Sequence, residues 1–109
     1  MTTIYGLKNC DTCKKAIKAL DGAAFVDIRA EADLAKKVPE WLSAVGADAL
    51  INRRSTTWRT LDETTREAAM GDGAVSVLTQ NPTLIKRPVI EAKGEVTVGW
   101  TKDVQAKFG

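Results

Sequence analysis

Residues 3–28, TIYGLKNCDTCKKAIKALDGAAFVDI, decide the fold class of this chain. The run TIYGL is short and rich in β-forming residues, which predicts a buried strand. The segment NCDTCKKAIKAL has Asn9 and Asp11 near its start and apolar residues at helical spacing, and Asp21-Gly22 closes the predicted helix. AAFVDI then predicts a second strand. Together these segments form a βαβ unit, whose two strands normally pair in parallel.

The middle of the chain, about residues 31–80, is predicted to be a helical insertion. The segment from Glu31 to Gly46 has apolar residues on one helical face, and Pro39 is expected to confine the regular helix to the region around and after it. The segments LDETTREAAM and DGAVSVLTQN predict two further helices, the second ending before Pro82. The polar stretch INRRSTTWR lies between the helical segments.

The end of the chain is predicted to form a ββα unit. RPVIEAKGEVTVGW contains two β-rich runs around Lys93-Gly94, which indicates a hairpin, and TKDVQAKF predicts a short helix capped by Thr101. The fold class is therefore α/β, with a helical insertion between the N-terminal βαβ unit and the C-terminal ββα unit. A chain of 109 residues fits a single domain, so we expect one domain over residues 1–109.

Composition excludes several function classes. The net charge is only +2, and acidic and basic residues are interleaved, so neither direct nucleic-acid binding nor an anionic membrane surface is indicated. The N-terminus lacks a basic region followed by a long apolar run, and no run of about 18 apolar residues occurs, which predicts a cytoplasmic location. In that reducing compartment two cysteines are expected to be catalytic, regulatory or inert rather than a permanent structural bridge.

Cys10 and Cys13 form a CxxC pair in a chain with no other cysteine and no histidine. Zinc needs three or four protein ligands and this pair supplies two, so we predict no metal. Buried, inert thiols are one remaining alternative. The other is redox chemistry, because Cys10 falls at the junction of strand and helix, where free backbone N–H groups stabilise a thiolate. Cys13 follows one turn later on the same side, as a resolving thiol would.

Loop arginines are the candidate anion-binding residues, because a chain without histidine must activate a thiol through a helix terminus and cations. Arg53 and Arg54 lie in the polar stretch INRRSTTWR, and Arg87 precedes Pro88 at the start of the hairpin. Guanidinium groups in such loops suit oxyanions and carboxylates, although each is also compatible with an ordinary surface charge.

The segments IYGLKNCDTCKKA, INRRSTTWRTLDE and LIKRPVI, in this order, resemble the arsenate reductase-like proteins, and most closely their YffB-like branch. The resemblance implies a thioredoxin-like fold in which Cys10 is the nucleophile, Arg54 and Arg87 hold the substrate, and Pro88 follows a cis peptide bond. It also implies a thiol–disulfide reductase that binds no cofactor and uses glutathione as co-substrate. The predicted catalytic residues are Cys10, Cys13, Arg54 and Arg87, and the predicted substrate-binding residues are Lys8, Asn9, Arg54, Arg87 and Pro88, with a small thiol or mixed disulfide as substrate.

Two departures from the resemblance shape the alternatives. Arsenate reductases of this type carry a third arginine on the last hairpin, whereas this chain has EVTVGW, so arsenate is a less favoured substrate. They also have serine where Cys13 stands. The Spx regulators, which belong to the same group, have a CxxC switch there, so the second hypothesis is a redox-switched protein that binds the RNA polymerase α subunit.

Overall fold

A computed structural model describes residues 2–92 and 94–108 of the chain. The chain divides into two compact units, one comprising Met1–Ala32 and Arg87–Gly109 and the other Asp33–Lys86. The first unit contains the sheet and the second is helical. The expectation of one domain over the whole chain stays a prediction. None of the helices in the two described stretches is long and apolar enough to cross a membrane.

The first unit is built on a four-stranded sheet of order β2-β1-β3-β4. The strands are β1 (Thr2–Gly6), β2 (Ala24–Asp27), β3 (Val89–Ala92) and β4 (Glu95–Val98). β1 pairs with β2 in parallel and with β3 in antiparallel, and β3 pairs with β4 in antiparallel. The predicted βαβ unit and its parallel pairing are confirmed. β1 is an inner strand, so its C-terminal end lies at the middle of one sheet edge.

Two helices complete the first unit, α1 (Asp11–Ala19) and α7 (Lys102–Phe108). Their apolar faces meet the sheet in one hydrophobic cluster, whose buried members are Ile4, Ala16, Ile90 and Val104. The predicted cap of the last helix is confirmed, because the Val104 N–H donates to Thr101 Oγ1 at 3.3 Å. In the predicted hairpin turn Gly94 has a φ of 81°, which favours glycine, and Lys93 lies outside the described residues.

The second unit consists of short helices. They are α2 (Leu34–Val45), α3 (Ala47–Leu50), α4 (Thr56–Thr60), α5 (Glu63–Ala69), α6 (Ala74–Gln80) and a 3-10 helix (Pro82–Leu84). α6 packs against both α2 and α5. An antiparallel bridge between Ile51 and Ile85 is flanked by hydrogen bonds from Asn52 N to Leu84 O and from Lys86 N to Leu50 O, both 2.7 Å. This bridge, α3 and α4 were not predicted, because each is too short for a hydrophobic period to emerge.

The expectation for Pro39 is wrong. α2 begins at Leu34, so the proline lies inside the helix instead of near its start. A proline in a helix interior costs roughly 3 kcal/mol through the missing N–H and the clash with the preceding turn. Val38 and Trp41 are both fully buried in this helix, and each such side chain contributes about 1.5–3 kcal/mol. Packing of the apolar face therefore outweighs the local penalty.

Gly6, at the end of β1, is a position that only glycine fits. A Cβ atom there would collide with Sγ of Cys13 and lie 3.3 Å from its Cβ. We expect Gly6→Ala to lower the free energy of unfolding by about 1–3 kcal/mol, the usual effect of overpacking, measured by urea denaturation.

The matched control is the same substitution in a Cys13→Ala background, where Sγ is absent. The loss of stability should be much smaller there, because the closest contact has been removed. An equal loss in both backgrounds would show that the sulfur is not what excludes a side chain at Gly6.

Candidate active site

Cys10 follows β1 after a short turn and occupies the N-cap position of α1. The turn that carries it is closed by a hydrogen bond from Cys10 N to Leu7 O at 3.2 Å, and Cys10 O accepts from Lys14 N at 2.9 Å in the first turn of the helix. The Cys10 backbone is extended, and its side chain makes no capping bond. The half-buried sulfur is therefore placed at the positive end of the helix and is not occupied in holding the helix together.

The environment of Cys10 favours its thiolate. Burial raises the pKa of this thiol, but the backbone N–H and thiol of Cys13, the charge of Arg87 and the backbone N–H of Thr12 together hold the pKa below its ordinary value. Each of these hydrogen-bond donors and the guanidinium charge stabilises negative charge on the sulfur. Cysteines at helix N-termini commonly have lowered pKa values for the same reason. The nucleophilic form of Cys10 is thus available at lower pH than that of a free cysteine.

Cys13 has the opposite character. It lies fully buried beside Gly6, and burial together with the negative charge and hydrogen bond of Cys10 raises its pKa to about 11, although the Leu7 backbone and Arg87 oppose this shift. Cys13 is therefore a thiol whose proton stabilises the neighbouring sulfur. Its role as resolving partner, which stays a prediction, requires that it become accessible once Cys10 is oxidised.

The two thiols should react with alkylating agents over different pH ranges. We expect iodoacetamide to alkylate Cys10 with an apparent pKa below the ordinary cysteine value, so that its rate falls only as the pH drops below that lowered pKa. Cys13 should stay unmodified across the neutral range, because it is buried and protonated there. Mass spectrometry of peptides after timed alkylation measures both rates, and faster labelling of Cys13 would reverse the two roles.

Arg87 and Pro88 lie at the start of β3, on the other side of β1 from β2. Their peptide bond is cis, as the sequence resemblance implied. Nη1 of Arg87 is buried and has no hydrogen-bond partner in the described part of the chain. Buried guanidinium nitrogens are normally paired, so an unpaired one near a thiol of lowered pKa indicates a binding position for a carboxylate or oxyanion.

The remaining predicted residues are divided between the two units. Lys8 and Asn9 are exposed in the turn before Cys10. Arg54 lies in the second unit, where its backbone N–H donates to Asn52 Oδ1 at 3.1 Å and its side chain lines a cavity of about 370 Å³ with Arg53 and Lys86. The first unit thus brings Cys10, Cys13 and Arg87 together. The catalytic and substrate-binding roles of all the predicted site residues stay predictions.

Sequence reasoning missed several residues at this end of the sheet. Gly6 is one of them, and a glycine at the end of a strand that precedes CxxC was the available signal, since such glycines mark a close approach. Asp27, the last residue of β2, and Arg29, in the loop that follows it, are others. Their signal was the predicted parallel pairing, which places the ends of β1 and β2 at one sheet edge. Across residues 2–92 and 94–108, no three side chains of the metal-binding types come together.

Comparisons with known proteins agree with this geometry. A model of the ArsC family matches residues 5–108. The chain belongs to the ArsC family. A protein of Haemophilus influenzae described as uncharacterized is 42% identical over 99% of both chains. The structure of a protein called YffB has a TM-score of 0.87 at 33% identity and covers 98% of this chain and 97% of its own.

A further ArsC relative comes from Brucella melitensis. Its structure, described as that of an arsenate reductase related protein, has a TM-score of 0.77 at 35% identity and covers 98% of this chain and 93% of its own. These relationships confirm the arsenate reductase-like family, the YffB branch and the thioredoxin-like α/β fold. The protein is thus an arsenate reductase-like member of the ArsC family.

Proposed function

We propose that this ArsC-family protein is a cytoplasmic thiol–disulfide reductase that uses glutathione as its reducing co-substrate. The observation that carries the proposal is the Cys10 thiol at the start of α1, whose pKa is held below its ordinary value in part by the charge of Arg87, a guanidinium whose buried Nη1 has no hydrogen-bond partner among the described residues. Attack on a disulfide that carries a carboxylate requires a thiol of low pKa as nucleophile and an unpaired cation to bind the carboxylate. Cys10 and Arg87 are such a pair.

The reaction proceeds by two thiol–disulfide exchanges. The Cys10 thiolate attacks the glutathione sulfur of a mixed disulfide, the old S–S bond breaks, and the product leaves as a thiolate that takes a proton from solvent. Cys10 then carries glutathione in a new disulfide. The thiolate of a free glutathione attacks this adduct, releases glutathione disulfide and restores the Cys10 thiolate, so each mixed disulfide reduced consumes one reduced glutathione.

The predicted site residues of the first unit have a place in this scheme. Arg87 holds a carboxylate of the bound thiol. Arg54, in the second unit, stays a predicted substrate-binding residue. Cys13 donates a hydrogen bond to the Cys10 thiolate. In the absence of glutathione, Cys13 attacks the Cys10 sulfur of the adduct, which forms the Cys10–Cys13 disulfide and releases the glutathione thiolate. Arsenate is not the proposed substrate, because β4 carries no arginine that would complete an oxyanion site.

The proposal is tested by treating the reduced protein with glutathione disulfide, followed by intact-mass and peptide mass spectrometry. We expect a glutathione adduct at Cys10 that excess glutathione removes, and turnover of a mixed disulfide in an assay coupled to glutathione reductase. An internal disulfide that forms without turnover would instead favour the redox-switch hypothesis, which binding to the RNA polymerase α subunit in one redox state would then establish. No modification of Cys10 would contradict the proposed function.

A further inference from the structure

A groove of about 480 Å³ lies at one end of the sheet, next to the turn that leads from β1 to Cys10. The loops that follow β1 and β2 line it, with the residues Leu7, Lys8, Asn9, Asp27, Arg29 and Ala30. Hydrogen bonds hold the loops in place: Ile28 N donates to Gly6 O at 3.0 Å, and Asp27 Oδ1 accepts from Arg29 N and Ala30 N at 2.7 and 3.1 Å. The groove is therefore a built feature of the first unit.

The charged groups of this groove are two cations and one carboxylate. The side chains of Lys8 and Arg29 are exposed, and within the described residues neither forms an ion pair. Asp27 uses Oδ1 for the two backbone N–H groups, which fixes the orientation of its carboxylate. Unpaired cations beside an oriented carboxylate match the two charges of a free amino-acid end, an α-carboxylate and an α-ammonium.

The order of the strands places this groove opposite Arg87. β1 lies between β2 and β3, so the Cys10 turn lies between the loop after β2 and the Arg87 segment before β3. Neighbouring strands are about 4.8 Å apart. The loop after β2 and the Arg87 segment are therefore roughly 10 Å apart, with the Cys10 turn between them. An extended tripeptide also spans about 10 Å, so one short peptide can reach both places with its central sulfur at Cys10.

We propose that the groove binds the amino-acid end of a peptide thiol, the γ-glutamyl end in the case of glutathione. Lys8 and Arg29 hold its α-carboxylate, Asp27 accepts from its α-ammonium, and the carboxylate at the other end of the peptide lies at Arg87. The assignment rests on the proposed function and narrows it, because the substrates are then disulfides of thiols that are charged at both ends. The bond exchange is the one given above, with the Cys10 sulfur attacking the sulfur of the peptide bound in the groove.

The test compares two disulfides, glutathione disulfide and the uncharged 2-hydroxyethyl disulfide, by the rate of Cys10 adduct formation at low ionic strength. Single Arg29→Gln and Lys8→Gln variants should lower the ratio of the two rate constants about two- to fivefold each, the effect of an exposed ion pair. The double variant should lower it by about tenfold. The matched control is Lys18→Gln, which removes an exposed cation near the other end of α1 and should leave the ratio unchanged.

Asp27 has its own test, with glutathione disulfide acetylated on its amino groups as the probe. The protein should prefer the free amine form, and Asp27→Asn should abolish this preference while its side-chain oxygen still accepts from the two backbone N–H groups. If Cys10 reacts with both disulfides and the Arg29→Gln, Lys8→Gln and Asp27→Asn variants keep the wild-type ratios, the groove assignment is wrong and the reductase proposal stands. If Cys10 of the wild type reacts with neither disulfide, both fail.

Discussion

Cys10→Ser is expected to abolish disulfide turnover while making the protein more stable. A serine hydroxyl is not a nucleophile for disulfides under these conditions, so the rate in the glutathione-coupled assay should fall by about a thousandfold or more. Cys10 occupies the N-cap of α1 without making a capping bond, whereas serine is one of the preferred residues at that position. The serine hydroxyl should accept a hydrogen bond from a backbone N–H of the first helical turn. This capping bond should stabilise the fold by roughly 0.5–1 kcal/mol.

The gain in stability should depend on pH. Cys10 has a lowered pKa in the folded protein, so its thiolate stabilises the fold above the unfolded pKa, and this contribution is lost as the pH falls through the folded pKa. Serine has no such contribution. The increase in melting temperature should therefore be larger at about pH 5 than at about pH 9, where the wild-type thiol is ionised.

Two measurements separate these effects. Thermal unfolding followed by circular dichroism gives the stability of both proteins, and Cys13→Ser serves as the matched single-sulfur control in the activity assay. Cys13→Ser should still form the Cys10 adduct. Residual turnover in Cys10→Ser would mean that Cys10 is not the nucleophile. A lower melting temperature than the wild type at both pH values would mean that the N-cap of α1 gains nothing from a serine hydroxyl.

The sheet and the thiol were predictable because their signals are local. TIYGL, the CxxC turn and AAFVDI each carry a pattern that a few residues determine, and the short connections leave one arrangement for a parallel pair. The position of Cys10 at the start of a helix followed from that order alone. The same pattern placed the C-terminal hairpin, because Gly94 is suited to the positive φ that the turn requires.

The second unit was less predictable because tertiary contacts decide it. Pro39 lies in a helix that buried Val38 and Trp41 stabilise, and no local rule weighs that packing against the proline. The bridge between Ile51 and Ile85 joins residues far apart in the sequence, so neither segment shows a strand pattern by itself. The groove beside Asp27 was missed for a similar reason, since its two loops meet only after the strands have paired.

Arg87 substitutions should separate its charge from its geometry. Arg87→Ala removes a positive charge that lowers the pKa of Cys10, so the alkylation profile of Cys10 should move to higher pH. Arg87→Lys keeps a charge and should keep most of that profile. Both variants lose the planar pair of donors that a carboxylate needs, and each should lower kcat/KM for a glutathione mixed disulfide by about 10- to 100-fold, the equivalent of one charged hydrogen bond.

The control for Arg87 is Arg59→Ala, which removes an exposed arginine of α4 whose backbone O, rather than its side chain, accepts a hydrogen bond from Arg66. It should change neither the Cys10 titration nor kcat/KM.

The unpaired Nη1 of Arg87 predicts one more difference between the wild type and Arg87→Ala. Inorganic anions such as sulfate should slow Cys10 adduct formation in the wild type by binding at Arg87, and this inhibition should disappear in Arg87→Ala. If Arg87→Ala and Arg59→Ala have equal kcat/KM and both keep the wild-type titration and sulfate inhibition, Arg87 contributes to the fold alone.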